Sequence, residues 1–249
     1  MIEVPLDVMG EGVPDDWVHV PAFKAKSAPD PSDVKKAAAL LAGADRPVIY
    51  AGQGIHYAKA WEELKELAEQ WNIPVTTSIE GKSAFPENHP LSLGSGGRAN
   101  SRPVKRYLEE SDLILGLGVS FALTAFGVPM PPGKKIIHAT LDPMDLNKDV
   151  PADIGLIGDA KLTLTALSAE LSNAASSKAA ARTDEPEKIN QLKEEWMQEW
   201  LPKLTNNEAP INPYRVVAEL NRLVDKEKVV ITHDAGSPRD QITPFWEST

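Results

Sequence analysis

The sequence predicts an α/β fold, a doubly wound and mostly parallel sheet, and three observations carry that prediction. Short, near-continuous apolar runs recur along the chain. Apolar stripes at helical spacing alternate with them. Two of the runs end in closely spaced glycines. Continuous apolar runs suit strands buried on both faces, as in a parallel sheet covered by helices. Right-handed crossovers then make a doubly wound domain the default.

Residues 1–30 are Pro-rich and lack sustained periodicity, so they read as a connector with a short strand at Ile2–Val4. Asp30-Pro31-Ser32-Asp33 is a helix start: a cap, a proline in the first turn and an early acid. That helix runs through Val34, Ala38 and Leu41 to Gly43. Pro47–Ala51 is the first strand of the repeating pattern, broken by Gly52-Gln53-Gly54. Trp61, Leu64, Leu67, Ala68 and Trp71 then share one helical face. Pro74–Ile79 is a strand, and a loop leads to a helix at Val104–Glu110. Asp112–Gly118, Lys135–Asp142 and Ile154–Asp159 are three further strands, and Asp159 can cap a helix carrying Leu164, Leu167 and Leu171.

This grammar defines a central domain over residues 30–173. Residues 174–186, rich in Ala, Ser and Lys, read as a linker. Beyond it, Ile189, Leu192, Trp196 and Trp200 stripe a helix. Asn212-Pro213 opens another, with Val216, Val217, Leu220 and Leu223 facing inward, and Val229–Thr232 reads as a strand. One strand with one or two helices cannot bury its own apolar faces. The chain is therefore expected to be a fragment of a larger enzyme, with residues 187–249 opening a second α/β domain.

Composition narrows the function. The chain has 249 residues, 42% hydrophobic and 25% charged, which is ordinary for a globular protein. Its formal net charge of −10 supplies no basic footprint for nucleic acid or an anionic membrane. The acidic balance fits a soluble cytoplasmic protein. With no cysteine, disulfides, thiolate metal sites and cysteine nucleophiles are all excluded. The start shows no secretory pattern. Leu113–Gly133 is uncharged and long enough to span a bilayer, but its four glycines and three prolines fit a buried strand and loop instead. No transmembrane segment is expected.

Candidate chemistry sits at Gly52-Gln53-Gly54 and Gly116-Leu117-Gly118. Ligands of open parallel sheets bind beyond the carboxyl ends of the strands, where strand order reverses. Glycine lets backbone approach a phosphate there, and the following helix start favours negative charge. The alternative is that these glycines only make tight turns, since Tyr57 and Phe121 stand where G-x-G-x-x-G requires its third glycine. Gly158-Asp159 could open a magnesium–diphosphate motif, although a helix cap is the simpler role for Asp159. The five histidines form no metal-like pair at i, i+4, and His138 reads as a packed core residue. No serine occupies a nucleophile elbow. No self-contained catalytic set and no metal-ligand set emerge.

Taken together, several landmarks resemble the thiamine-diphosphate-dependent enzymes of the acetolactate synthase and 2-oxo acid decarboxylase type. They are Arg46–Gly54, Ile73–Lys82, Pro86–Gly94, Ser111–Gly118, and Leu141-Asp142-Pro143 with Gly158-Asp159. Their order and spacing are similar to that family's Rossmann-like central domain. Ile2–Val8 resembles the end of a preceding pyrimidine-binding domain, and Val229–Gly236 resembles the first strand of a diphosphate-binding domain.

The resemblance implies a parent lyase or acyl-type transferase acting on 2-oxo acids with thiamine diphosphate and Mg2+. The coenzyme supplies the carbanion chemistry and the protein positions it. It implies that the activating glutamate and the metal ligands lie outside this chain, which is then not catalytic by itself. Gly236 and Ser237 match the turn that approaches the diphosphate in relatives, and Asp142 belongs to the central cleft. Some relatives hold FAD or ADP in that cleft. Here Val119-Ser120-Phe121-Ala122 follows the strand where flavin-binding relatives place an arginine and an acid, which stands against a flavin. Two further readings remain: a free-standing FAD, ADP or NAD module, and an oligomerisation scaffold. Homodimers or homotetramers are expected in the parent, and self-association is expected here through exposed Val229, Ile231 and Phe245.

Overall fold

The computed structural model describes residues 3–21, 23, 25–173 and 177–249. In chain order the elements are α1 (Pro31–Gly43), β1 (Pro47–Ala51), α2 (Gly54–Ala58), α3 (Trp61–Trp71), β2 (Val75–Thr77), β3 (Ser92–Ser95) and α4 (Arg102–Glu110). Then follow β4 (Leu113–Leu117), β5 (Lys135–Thr140), β6 (Ile154–Ile157), α5 (Ala160–Ser172), α6 (Ser177–Ala180), α7 (Glu185–Leu204), α8 (Pro213–Leu223) and α9 (Ser237–Phe245).

The six strands among the described residues form one parallel sheet in the order β3-β2-β1-β4-β5-β6. The order reverses between β1 and β4, which pair from Pro47 with Leu113 to Ala51 with Leu117. Every residue of these two strands is buried, as expected for the middle of a sheet covered on both faces. Helix α5 packs against α1 and α3, and α4 packs against α7, so the fold is α/β and doubly wound. No helix among the described residues is long and apolar enough to cross a membrane.

Local signals account for the ends of the helices. The Asp30 carboxylate accepts from the Ser32 amide at 2.8 Å and caps α1. Asp159 accepts from the Lys161 and Leu162 amides at 3.1 and 3.2 Å and caps α5. Asn72 closes α3 in the left-handed conformation, at φ 46°.

Several expectations need correction. β3 carries almost no sequence signal, because Ser-Leu-Gly-Ser offers a single large apolar residue, Leu93. Val229–Thr232 is not a strand: Val229 has extended dihedrals, but no described strand pairs with the segment. Of the α8 residues expected to face inward, only Val217 is buried, while Val216 and Leu223 are 49% and 67% exposed. Phe245, expected to be exposed, is buried against Trp196 at 4.8 Å, with Trp200 and Tyr214 alongside. Of the short strand expected at Ile2–Val4, Ile2 lies outside the described residues, and Val4 is exposed and in no strand.

Part of the expected linker is firmly docked. Residues 174–176 lie outside the described residues, but Arg182, just beyond α6, is buried. Its guanidinium donates to Trp71 O at 3.0 and 3.3 Å and to Ala44 O at 3.2 Å. Those carbonyls lie at the C-terminal ends of α3 and α1, where helix dipoles favour a cation. Charge-assisted bonds of this kind contribute more than neutral ones. Arg182→Ala is therefore expected to cost about 2–4 kcal/mol, read from urea unfolding. A loss near zero would show that the clamp is dispensable.

Candidate functional site

The strand-order reversal brings together five of the residues singled out from sequence. Gly52, Gln53 and Gly54 follow β1, while Gly116 lies within β4 and Gly118 just after it. The two loops are joined backbone to backbone. Gly52 N donates to Leu117 O and Gly54 N donates to Gly118 O, each at 2.9 Å. A Cβ on Gly52 would stand 2.3 Å from Gly118 O, and one on Gly118 would stand 2.6 Å from Gly54 Cα. Gly118 also has φ +60°, a conformation disfavoured for other residues. Here the glycines permit loop-to-loop contact.

Beside them lies a cleft of about 150 Å³, lined by Tyr50, Gln53, Ser78, Glu80, Gly118 and Phe121 among others. Phe121 turns back at φ +52°, and its ring lies against Gly116, where a Cβ would meet it at 2.3 Å. The ring meets His138 edge-on at 4.8 Å and Tyr50 at 5.8 Å.

His138 is fully buried, with its Nε2 2.7 Å from Val119 O. The Val119 carbonyl can only accept, so Nε2 carries the proton. Nδ1 has no partner. Burial holds the imidazole pKa below its ordinary value of 6.5, although the hydrogen bond to Val119 opposes this. The sign follows directly. The unfolded chain takes up a proton below about pH 6.5 and the folded one resists, so this stability is present above that pH and lost as pH falls. One such proton contributes a slope of about 1.4 kcal/mol per pH unit. Comparing urea midpoints between pH 7.5 and 5, His138→Gln is expected to reduce the slope, by at most that amount. An unchanged slope would assign the pH dependence to other groups.

The remaining predicted residues lie elsewhere. Asp142 is exposed beyond β5, where its carboxylate accepts from the Met144 amide at 2.9 Å, and it does not line the cleft. Gly236, with φ +85°, and Ser237 open α9, also apart from the cleft. Among the described residues, no group of three or more His, Cys, Asp or Glu side chains could hold a metal ion.

Sequence reasoning missed a buried ionic cluster under the C-terminal segment. Lys82 Nζ donates to both Glu87 carboxylate oxygens at 2.7 and 2.6 Å, and Ser95 Oγ donates to Glu87 Oε1 at 2.6 Å. The Ser248 amide donates to Glu87 Oε2, and the Glu87 amide to Ser248 O, both at 2.8 Å. Lys82 also donates to Thr243 O at 3.1 Å, and Lys193 to Glu87 O at 3.1 Å. Burial pushes the Lys82 ammonium below the usual lysine range, while Glu87 pushes it back. The cluster joins the central sheet to α9 and α7. No spacing rule connects Lys82, Glu87 and Ser248, so the cluster has no sequence signature.

Comparison with known proteins agrees with this architecture. Residues 34–167 match the family described as thiamine pyrophosphate enzyme, central domain, and the chain belongs to that family. It is similar to the probable acetolactate synthase large subunits of Methanocaldococcus jannaschii, 34% identical over 93% of this chain, and Methanococcus aeolicus, 32% identical over 94%. Over 69% of its length it is 35% identical to an acetolactate synthase of Mycobacterium bovis. The chain spans only 39% and 40% of the two archaeal relatives.

Proposed function

We propose that this chain is the central, scaffolding part of a thiamine-diphosphate-dependent lyase or acyl-type transferase that acts on 2-oxo acids in the cytoplasm. The observation that carries the reading is the family match, which runs from α1 into α5 and so covers the whole six-stranded sheet. The names of the relatives support the substrate class. On this reading residues 30–173 are the central domain and residues 187–249 open a diphosphate-binding domain.

Thiamine diphosphate, once bound, supplies the carbanion chemistry. The described residues do not fit the role of holding it: they offer no cluster for Mg2+, and Gly236 and Ser237 contribute only one exposed turn. On this reading the chain is inactive by itself. Titration calorimetry with thiamine diphosphate and Mg2+ tests this. No saturable heat up to millimolar coenzyme is expected, and submillimolar binding would contradict the reading.

Self-association is the second reading. Val216, Leu223, Val229 and Val230 leave an apolar surface on the C-terminal part. Light scattering is expected to give a mass above that of one chain, and a monomer at high concentration would count against it.

A further inference from the structure

We infer that the cleft where strand order reverses is closed to a nucleotide or flavin by the chain's own Phe121. Four observations carry this. The cleft measures about 150 Å³, whereas sites for cofactor-sized ligands run to roughly 300–1,000 Å³. The Phe121 ring lies against Gly116, filling the side-chain space this glycine leaves open at the middle of the sheet. The lining includes the exposed carboxylate of Glu80 and no lysine, arginine or histidine, so a diphosphate would meet repulsion without compensation. The backbone amides of Gly52 and Gly54 are already donated to Leu117 O and Gly118 O and cannot cradle a phosphate.

Phe121 holds this position at a backbone cost. A bulky residue at φ +52° is an outlier, and such conformations persist where surrounding packing over-determines them. His138 and Tyr50 supply that packing. Tyr50, itself 4% exposed, also lines the cleft.

Equilibrium dialysis of the whole chain against FAD, ADP and adenosine tests the inference, with Phe121→Gly as the variant. Glycine removes the ring and suits the positive φ, so the substitution also relieves strain. The unaltered chain is expected to retain none of the three at millimolar concentration. Phe121→Gly is expected to gain adenosine affinity at least tenfold while still rejecting ADP, because Glu80 and the occupied amides remain. Saturable FAD or ADP binding by the unaltered chain overturns the inference whatever the variant does. A variant that is folded by circular dichroism yet gains no adenosine affinity overturns the assignment to Phe121.

Discussion

Replacing Glu87 with alanine is expected to destabilise the chain by about 3–5 kcal/mol, the cost of removing one partner from a buried ion pair. The side chains of Lys82 and Glu87 are 17% and 7% exposed, so the stranded ammonium of Lys82 has little access to water. Ser95 Oγ and the Ser248 amide lose their acceptor in the same step. Charge pairing predicts a non-additive partner effect. Lys82→Met combined with Glu87→Met is expected to recover part of the loss, because no uncompensated charge remains. Full recovery is not expected, since the Ser248 amide still lacks its acceptor. Urea midpoints of the two single variants and the double variant measure the coupling. Additive losses would show that the pair is independent. Because Glu87 holds Ser248, the single variant is also expected to expose the C-terminal segment to protease before the sheet unfolds.

Gly118→Ala is the second large effect. Alanine at φ +60° costs about 1–2 kcal/mol, and its Cβ would stand 2.6 Å from Gly54 Cα. That neighbour is backbone and cannot rotate away, so overpacking adds roughly 1–3 kcal/mol. The combined loss, about 2–5 kcal/mol, should appear as a lowered urea midpoint. A neutral result would mean that the two loops separate readily, and the cleft beside them would then not be closed as described. Gly43→Ala provides the contrast, since a Cβ there meets nothing within 4 Å.

These sites show which parts of the architecture were legible in the residues. The capped start at Asp30-Pro31 and the apolar runs at Pro47–Ala51 and Leu113–Leu117 are local signals, and each formed the expected element. β3 and the unpaired Val229–Thr232 segment fail for opposite reasons. Ser92–Ser95 has little apolar content, yet β2 pairs with it. Val229–Thr232 has the content but no described partner, and a strand exists only through its neighbours. The glycines of the two loops were legible as a place but not as a purpose. Whether Gly52 meets a phosphate or Gly118 depends on Phe121 and on loop pairing across about sixty residues of chain, which no motif encodes. Arg182 and the Lys82–Glu87 cluster are long-range bonds from unremarkable segments, and they became visible only in three dimensions.

The proposed function makes this chain a scaffold for coenzyme chemistry carried by other domains. The most direct test gives the purified chain thiamine diphosphate, Mg2+ and pyruvate, and follows release of carbon dioxide and formation of acetolactate. No turnover above a protein-free blank is expected. Coenzyme-dependent turnover by this chain alone would contradict it.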